Sequence, residues 1–162
     1  LEAQVKAAVL TVSDSCHRGE RQDLSGPRVK ARLEEAGFAV VAVEVLPDER
    51  KTLAARLRAW CDSGGVDAVF LTGGTGVAPR DVTPEAVRDA MDREIPGFGE
   101  VMRAEGRRNT PLAPLSRSLA ATRGRVLIVA LPGSPKGAAE SLDAILEMVP
   151  HALRLLRGET GH

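Results

Sequence analysis

Three short runs, Lys6-Ala-Ala-Val-Leu-Thr-Val12, Val66-Asp-Ala-Val-Phe-Leu71 and Arg125-Val-Leu-Ile-Val-Ala-Leu131, are apolar at nearly every position rather than at every second one. A strand of that kind is buried on both faces, as in a parallel sheet covered on each side by helices. A valine-rich run over residues 38–46, broken by Pro47-Asp48-Glu49, predicts a further strand. The intervening segments carry helical period. After Ser25 and Pro27, the apolar positions Val29, Leu33 and Ala36 recur at helical spacing and Gly37 closes the helix. Residues 51–62 put Leu53, Leu57 and Trp60 on one face before Ser63-Gly64-Gly65 stops them. Thr83 as N-cap and Pro84 at the first helical position predict a third helix. Pro96-Gly-Phe-Gly99 reads as a turn and residues 100–108 as a short helix, with Pro111 and Pro114 breaking the segment beyond it. Ser134-Pro135 caps a long helix with Leu142, Ile145, Leu146 and Val149 on one stripe, resumed past Pro150 by Leu153 and Leu156. The alternation predicts one α/β domain with a largely parallel sheet.

Its 162 residues suit one domain with a real core. Lys plus Arg and Asp plus Glu number 22 each, so no overall field draws the chain to nucleic acid or a membrane. Aromatic residues make up 2%, with no Tyr and one Trp, too few for the stacking platforms of single-strand nucleic-acid binders. Cys16 and Cys61 are too isolated for a disulfide framework or a zinc site, and the N-terminus has no secretory pattern, so a reducing, cytoplasmic setting is expected. No apolar run approaches the length of a membrane span. The chain begins at Leu1 without Met, which is consistent with a few further residues upstream.

Parallel α/β folds bind ligands beyond the carboxyl ends of their strands. Here those ends are Ser13-Asp14-Ser15, Pro47-Asp48, Thr72 to Gly76 and Pro132-Gly133-Ser134. Gly73-Gly74-Thr75-Gly76 crowds residues that take positive φ and let backbone N–H groups approach an anion, which suits either a phosphate or a plain tight turn. It is neither a Walker A loop nor the dinucleotide fingerprint. Asp48 and Asp81 each follow a strand end, where carboxylates can hold Mg²⁺ against phosphate oxygens. The competing readings are that Asp48 caps the next helix and that Asp81 pairs with its neighbour Arg80. Lys136 sits in the first turn of the last long helix, where a cation opposes the helix dipole unless an anion is present or the lysine is simply solvated. His17, His151 and His162 have no nucleophile or metal partner at a telling spacing, and Cys16 lacks an accompanying base. The residues alone therefore lead to an α/β domain that binds a phosphorylated ligand with Mg²⁺.

Taken together and in order, the motifs resemble the MoaB/Mog family of molybdenum cofactor biosynthesis, related to the G domain of gephyrin. Thr11-Val-Ser-Asp-Ser15 with Gly19, Asp23 and Ser25-Gly26 is similar to its first-strand signature. Leu71-Thr-Gly-Gly-Thr-Gly76 with Arg80-Asp-Val-Thr-Pro-Glu-Ala86 is similar to its central one. Ile95-Pro-Gly-Phe98, Leu115-Ser-Arg117 and Leu131-Pro-Gly-Ser-Pro-Lys-Gly137 complete the pattern. The resemblance implies a three-layer α/β/α sandwich with a mostly parallel (mixed) sheet, assembled as a homotrimer or a multiple of it. It implies a molybdopterin adenylyltransferase, which moves AMP from Mg-ATP to the terminal phosphate of molybdopterin and releases pyrophosphate. The family's two functional acids fall on Asp48 and Asp81, as catalytic and metal-holding residues. Its glycine loop falls on Gly73, Gly74, Thr75 and Gly76, and its pterin-side and phosphate-side contacts on Ser13, Asp14, Ser116, Pro132, Gly133, Ser134 and Lys136. The absence of a placed His or Cys fits this chemistry, because a phosphate monoester with a second pKa near ~6 is already mostly ionised and needs no general base. The alternatives are a pterin-binding protein of the same pathway that does not catalyse, and a scaffold module; retention of both Asp48 and Asp81 favours the enzyme. Residues 95–98 with the helix after them are the expected source of apolar trimer surface.

Overall fold

A computed structural model describes residues 4–161. In chain order the elements are β1 (Lys6–Val12), α1 (Asp14–His17), α2 (Ser25–Glu35), β2 (Ala39–Leu46), α3 (Arg50–Asp62), β3 (Ala68–Thr72), α4 (Thr83–Ala90), β4 (Arg93–Ile95), α5 (Pro96–Arg107), β5 (Leu119–Arg123), β6 (Val126–Leu131), α6 (Pro135–Ile145) and α7 (Val149–Leu156). Short 3₁₀ turns lie at Ala113–Leu115 and Leu146–Met148. The six strands form one sheet in the order β2-β1-β3-β6-β5-β4. β1 runs parallel to β2 and β3, and β3 parallel to β6, whereas β5 is antiparallel to both β6 and β4.

Successive strand residues point to opposite faces, and both faces are covered. Ala7 and Val9 of β1 join Phe70, Val129 and Leu131 beneath α2, α5, α6 and α7. Ala8, Leu10 and Val12 join Val69, Leu71 and Ile128 beneath α3 and α4. This is the three-layer α/β/α sandwich expected, and the doubly buried strands are the reason the apolar runs are continuous rather than alternating. Each fully buried leucine, such as Leu10 or Leu71, contributes on the order of 1.5–3 kcal/mol relative to exposure. Among the described residues no helix is long and apolar enough to cross a membrane.

Several local expectations are corrected. Leu-Ala-Ala-Thr-Arg over 119–123 has modest strand propensity, yet it forms β5 because β6 offers it an antiparallel ladder. Pro96 to Gly99 is the first turn of α5 rather than a separate turn, with Pro96 at a position that needs no N–H. Gly99 is required there because a Cβ would lie 2.7 Å from the Ser118 carbonyl oxygen. Phe98 is buried in the core, so it does not supply trimer surface. Thr83 is the first residue of α4 instead of its cap, and its hydroxyl donates to the Gly73 carbonyl at 2.8 Å. Ala36 is exposed beyond the end of α2, and the last long helix is interrupted between Ile145 and Val149 by the 3₁₀ turn.

The chain leaves β1 by α2 on one face and leaves β2 by α3 on the other. That reversal opens a crevice at the carboxyl ends of β1 and β3.

Candidate functional site

The crevice is a cleft of about 420 Å³ whose walls include Ser13 after β1, Asp48 after β2, Gly73 and Gly74 after β3, Asp81, and Gly133 with Ser134 after β6. Residues 21–25 and Cys16 close one side. Ser134 caps α6 by accepting the Gly137 N–H at 3.0 Å, so the N-terminus of an eleven-residue helix opens at the cleft. Such a terminus favours negative charge.

The glycines are dictated by geometry. Gly73 has φ +108° and Gly74 φ +68°. A Cβ on Gly73 would collide with the Val12 carbonyl oxygen, and one on Gly74 would collide with the Thr83 hydroxyl and stand 3.0 Å from Asp48 Oδ1. Gly133 passes so close that its Cβ would be 3.2 Å from the Gly73 Cα. The turn is anchored from outside: Thr83 donates its hydroxyl to Gly73 O and its N–H to Gly74 O at 3.1 Å. Among the described residues, the N–H groups of Gly74, Thr75 and Gly76 have no acceptor within the chain. Of these residues Gly74 lines the cleft, where a free backbone donor can meet an anion.

The carboxylates arrange themselves around Asp14. The Asp14 N–H donates to Asp48 Oδ2 at 2.9 Å, and the Asp48 N–H donates to Asp14 Oδ1 at 3.0 Å. Arg80 grips both oxygens of Asp14, at 2.9 and 3.0 Å. Those hydrogen bonds hold the Asp14 carboxyl below its ordinary range. The Asp48 carboxyl is pushed the other way, first by burial and then by the charges of Asp14 and Asp81, against the opposing Asp14 N–H. Asp81 Oδ2 accepts the Ala78 N–H at 3.0 Å, in space that only a glycine at position 76 leaves open. Both competing sequence readings therefore fail. Arg80 pairs with Asp14 rather than Asp81, and the N-cap of α3 is Glu49 rather than Asp48, with no side-chain cap bond.

Of the sequence-predicted residues, Ser13, Asp48, Gly73, Gly74, Asp81, Gly133 and Ser134 share the cleft wall. Thr75 is buried behind it. Gly76 makes room for the Asp81 carboxylate, and Asp14 holds Asp48 through their reciprocal bonds. Ser116 and Pro132 line a neighbouring pocket of about 330 Å³ between α5 and α6, which meets the cleft at Ser134. Lys136 lines neither; its side chain is 78% exposed and its amine lies 3.9 Å from Glu140. Two supports stood in the sequence only as parts of the family pattern, with no role read for either. Asp23 accepts the Thr11 hydroxyl at 2.7 Å and the Gly26 N–H at 3.0 Å, which ties the loop closing the cleft to β1. Arg117 grips the loop that carries Asp81, from a segment with no sequence pattern of its own.

Two carboxylates with no ion-pair partner among the described residues, a glycine turn and a helix N-terminus meet at the switch point of a mostly parallel sheet, in an α/β domain whose cleft can receive an anionic ligand. Residues 8–151 match the family described as a probable molybdopterin binding domain. The molybdopterin adenylyltransferase of Helicobacter pylori strain J99 is 38% identical over 156 residues, which cover 95% of this chain and 89% of that protein. The crystal structure of the molybdopterin biosynthesis enzyme MoaB from Thermus thermophilus is 51% identical, with a TM-score of 0.90 over 96% of this chain and 98% of that one. The molybdenum cofactor synthesis protein cinnamon of Drosophila melanogaster is 39% identical over 150 residues, 91% of this chain, but the chain spans only 25% of cinnamon's length. The chain belongs to the molybdopterin-binding MoaB/Mog family of molybdenum cofactor biosynthesis.

Proposed function

We propose that this chain is a molybdopterin adenylyltransferase, using ATP and Mg²⁺. The observation that carries the reading is the convergence of Asp48 and Asp81 on one glycine-walled cleft, where each lacks an ion-pair partner among the described residues. The two carboxylates repel one another, and a divalent cation between them would relieve that repulsion, so the residues fit Mg²⁺. When bound, Mg²⁺ supplies neutralisation of triphosphate charge. The names of the relatives, adenylyltransferase among them, support the same reading.

In this reading the N–H groups of Gly74 to Gly76 and the start of α6 bind phosphate oxygens. Ser13 and Ser134 line the same wall, and the adjoining pocket at Ser116 and Pro132 receives the pterin side. An oxygen of the molybdopterin phosphate attacks the ATP α-phosphorus, the bond to the β-phosphate bridging oxygen breaks, and pyrophosphate leaves with that electron pair. No proton has to be removed from the nucleophile. The protein's contribution is alignment and a fixed field around the developing charge. We place the enzyme in the cytoplasm, in keeping with its two free cysteines. We assign it a homotrimeric assembly on the family resemblance, with the exposed Leu112 and Leu115 as apolar surface in place of Phe98.

Asp81→Asn keeps the side chain's size and its acceptor for the Ala78 N–H but removes the charge. Single-turnover adenylation at saturating Mg²⁺ should fall by roughly a hundredfold or more, while molybdopterin affinity holds or rises. Near-normal turnover in this variant would remove Asp81 from the metal site.

A further inference from the structure

Residues 73–82 carry the glycine turn and Asp81, yet they have no helix or strand to hold them. Thr83 and Leu131 hold Gly73 and Gly74, but the carbonyls of Thr75, Gly76 and Asp81 are held by a residue 41 positions from Gly76 in the chain. The Arg117 N–H donates to the Thr75 carbonyl at 2.7 Å. Its Nε donates to the Gly76 carbonyl at 2.8 Å and its Nη2 to the Asp81 carbonyl at 2.9 Å. Its Nη1 reaches both carboxylate oxygens of Glu85, at 2.7 and 3.1 Å, in the first turn of α4. The exposed tip at residues 77–80 is therefore closed between two carbonyls that share one guanidinium.

We propose that Arg117 is a positioning residue for the reaction: it sets the backbone of Asp81 relative to the glycine turn while lining no part of the cleft itself. The inference rests on the reading of Asp81 as a metal-holding carboxylate. Its chemistry follows from the guanidinium, which offers donors in a rigid planar fork, so one side chain can serve three separated acceptors. A lysine ammonium at the end of a flexible stem presents its donors from a single point and cannot reach the two carbonyls and Glu85 together. The ion pair alone does not account for the arrangement. Arg117 and Glu85 side chains are 36% and 28% exposed, where an isolated pair adds little. The two carbonyl contacts are what tie Arg117 to Asp81.

The test uses full-length wild type, Glu85→Gln, Arg117→Gln, Arg117→Lys and the double variant Glu85→Gln/Arg117→Gln. Three quantities are read: hydrogen exchange at the amides of residues 77–82 other than Pro79, Mn²⁺ affinity by electron paramagnetic resonance with a non-hydrolysable ATP analogue, and kcat and KM for adenylation of molybdopterin. Arg117→Gln should lose roughly 10- to 100-fold in Mn²⁺ affinity and in kcat, as when a group supporting a metal ligand is removed. Its exchange at 77–82 should rise by about tenfold or more, and its KM for molybdopterin should stay within about threefold of wild type. Glu85→Gln should resemble wild type. The double variant should be as defective as Arg117→Gln, because neutralising Glu85 does not restore the grip on the two carbonyls. Arg117→Lys, which retains the charge facing Glu85, should fold as wild type does and still show fast exchange and weak Mn²⁺ binding; it carries the test if Arg117→Gln fails to fold. Wild-type exchange and Mn²⁺ affinity in the lysine variant, or recovery in the double variant, would reduce Arg117 to a counter-ion for Glu85 and overturn the proposal. A wild type that failed to adenylate molybdopterin would count against the proposed function alone, since the exchange and Mn²⁺ measurements decide the brace without it.

Discussion

Burial, together with the charges of Asp14 and Asp81, raises the Asp48 carboxyl above the ordinary carboxylate range. A carboxyl whose pKa is raised by folding binds more protons in the native than in the unfolded state. Stability therefore falls as pH rises from the ordinary value through the raised one, and the whole cost is present above the raised value. Asp48→Asn keeps an acceptor for the Asp14 N–H and removes that cost. At pH 7 without Mg²⁺ the variant should melt at a higher temperature than wild type, while adenylation falls by roughly a hundredfold or more. Thermal melts with and without Mg²⁺ and an ATP analogue check this: ligand should stabilise wild type more than the variant. A variant less stable than wild type in the absence of ligand would contradict the assignment. Asp48 and Asp81 were legible in the sequence because each follows a strand end, and topology alone carries such residues to one edge. Arg117 was not, because its acceptors are backbone carbonyls at positions 76 and 81, and a carbonyl leaves no signature in side-chain pattern. Lys136 shows the converse case, a residue well placed in sequence whose side chain leaves the site for Glu140.

At the scale of elements, the reciprocal Asp14–Asp48 bonds and the Arg80 clamp tie together the short helix α1, the end of β2 and the loop after β3. The Asp14 carboxyl is lowered chiefly by hydrogen bonds from Arg80, which gives a pH dependence of opposite sign to that of Asp48. Its stabilisation is fully present above the ordinary carboxyl value near ~3.9 and is lost as pH falls through the lowered one. Asp14→Asn should therefore lower Tm at pH 7, and the gap from wild type should close on acidification below about pH 4. Melting curves from pH 7 to pH 3 test the sign; a gap that widened in acid would show that the clamp acts through something other than the Asp14 charge. The central strands were legible because burial on both faces forces continuous apolar runs. β4 and β5 escaped for the opposite reason. β4 has three residues and β5 is built on Leu-Ala-Ala-Thr-Arg, so their strand state comes from pairing with β6 and with each other rather than from local preference. The first turn of α5 was misread because Pro and Gly punctuate turns in general, whereas here proline sits at the helix start and Gly99 answers the close passage of Ser118.

Across the whole molecule, the strand order β2-β1-β3-β6 sets the switch point between β1 and β3; the loops after β1, β2, β3 and β6 leave carboxyl ends on that edge, and the segment with Ser116 and Arg117 enters the antiparallel β5 there at its amino end. The adjoining pocket at Ser116 and Pro132 extends the cleft towards α5, and the two share Ser134. Assembly is tested by light scattering. The chain mass is 17.2 kDa, and the proposed homotrimer should scatter at about three times that mass or a multiple of it at micromolar concentration; a monomer there would remove the trimer. The proposed cleft transfers a nucleotidyl group rather than only holding a pterin. That transfer is tested most directly by incubating the pure protein with molybdopterin, Mg²⁺ and ATP labelled at the α-phosphate. Nucleotidyl transfer puts the label in an adenylyl-molybdopterin product, with one pyrophosphate released for each AMP transferred. Tight molybdopterin binding with all label remaining in ATP would contradict it.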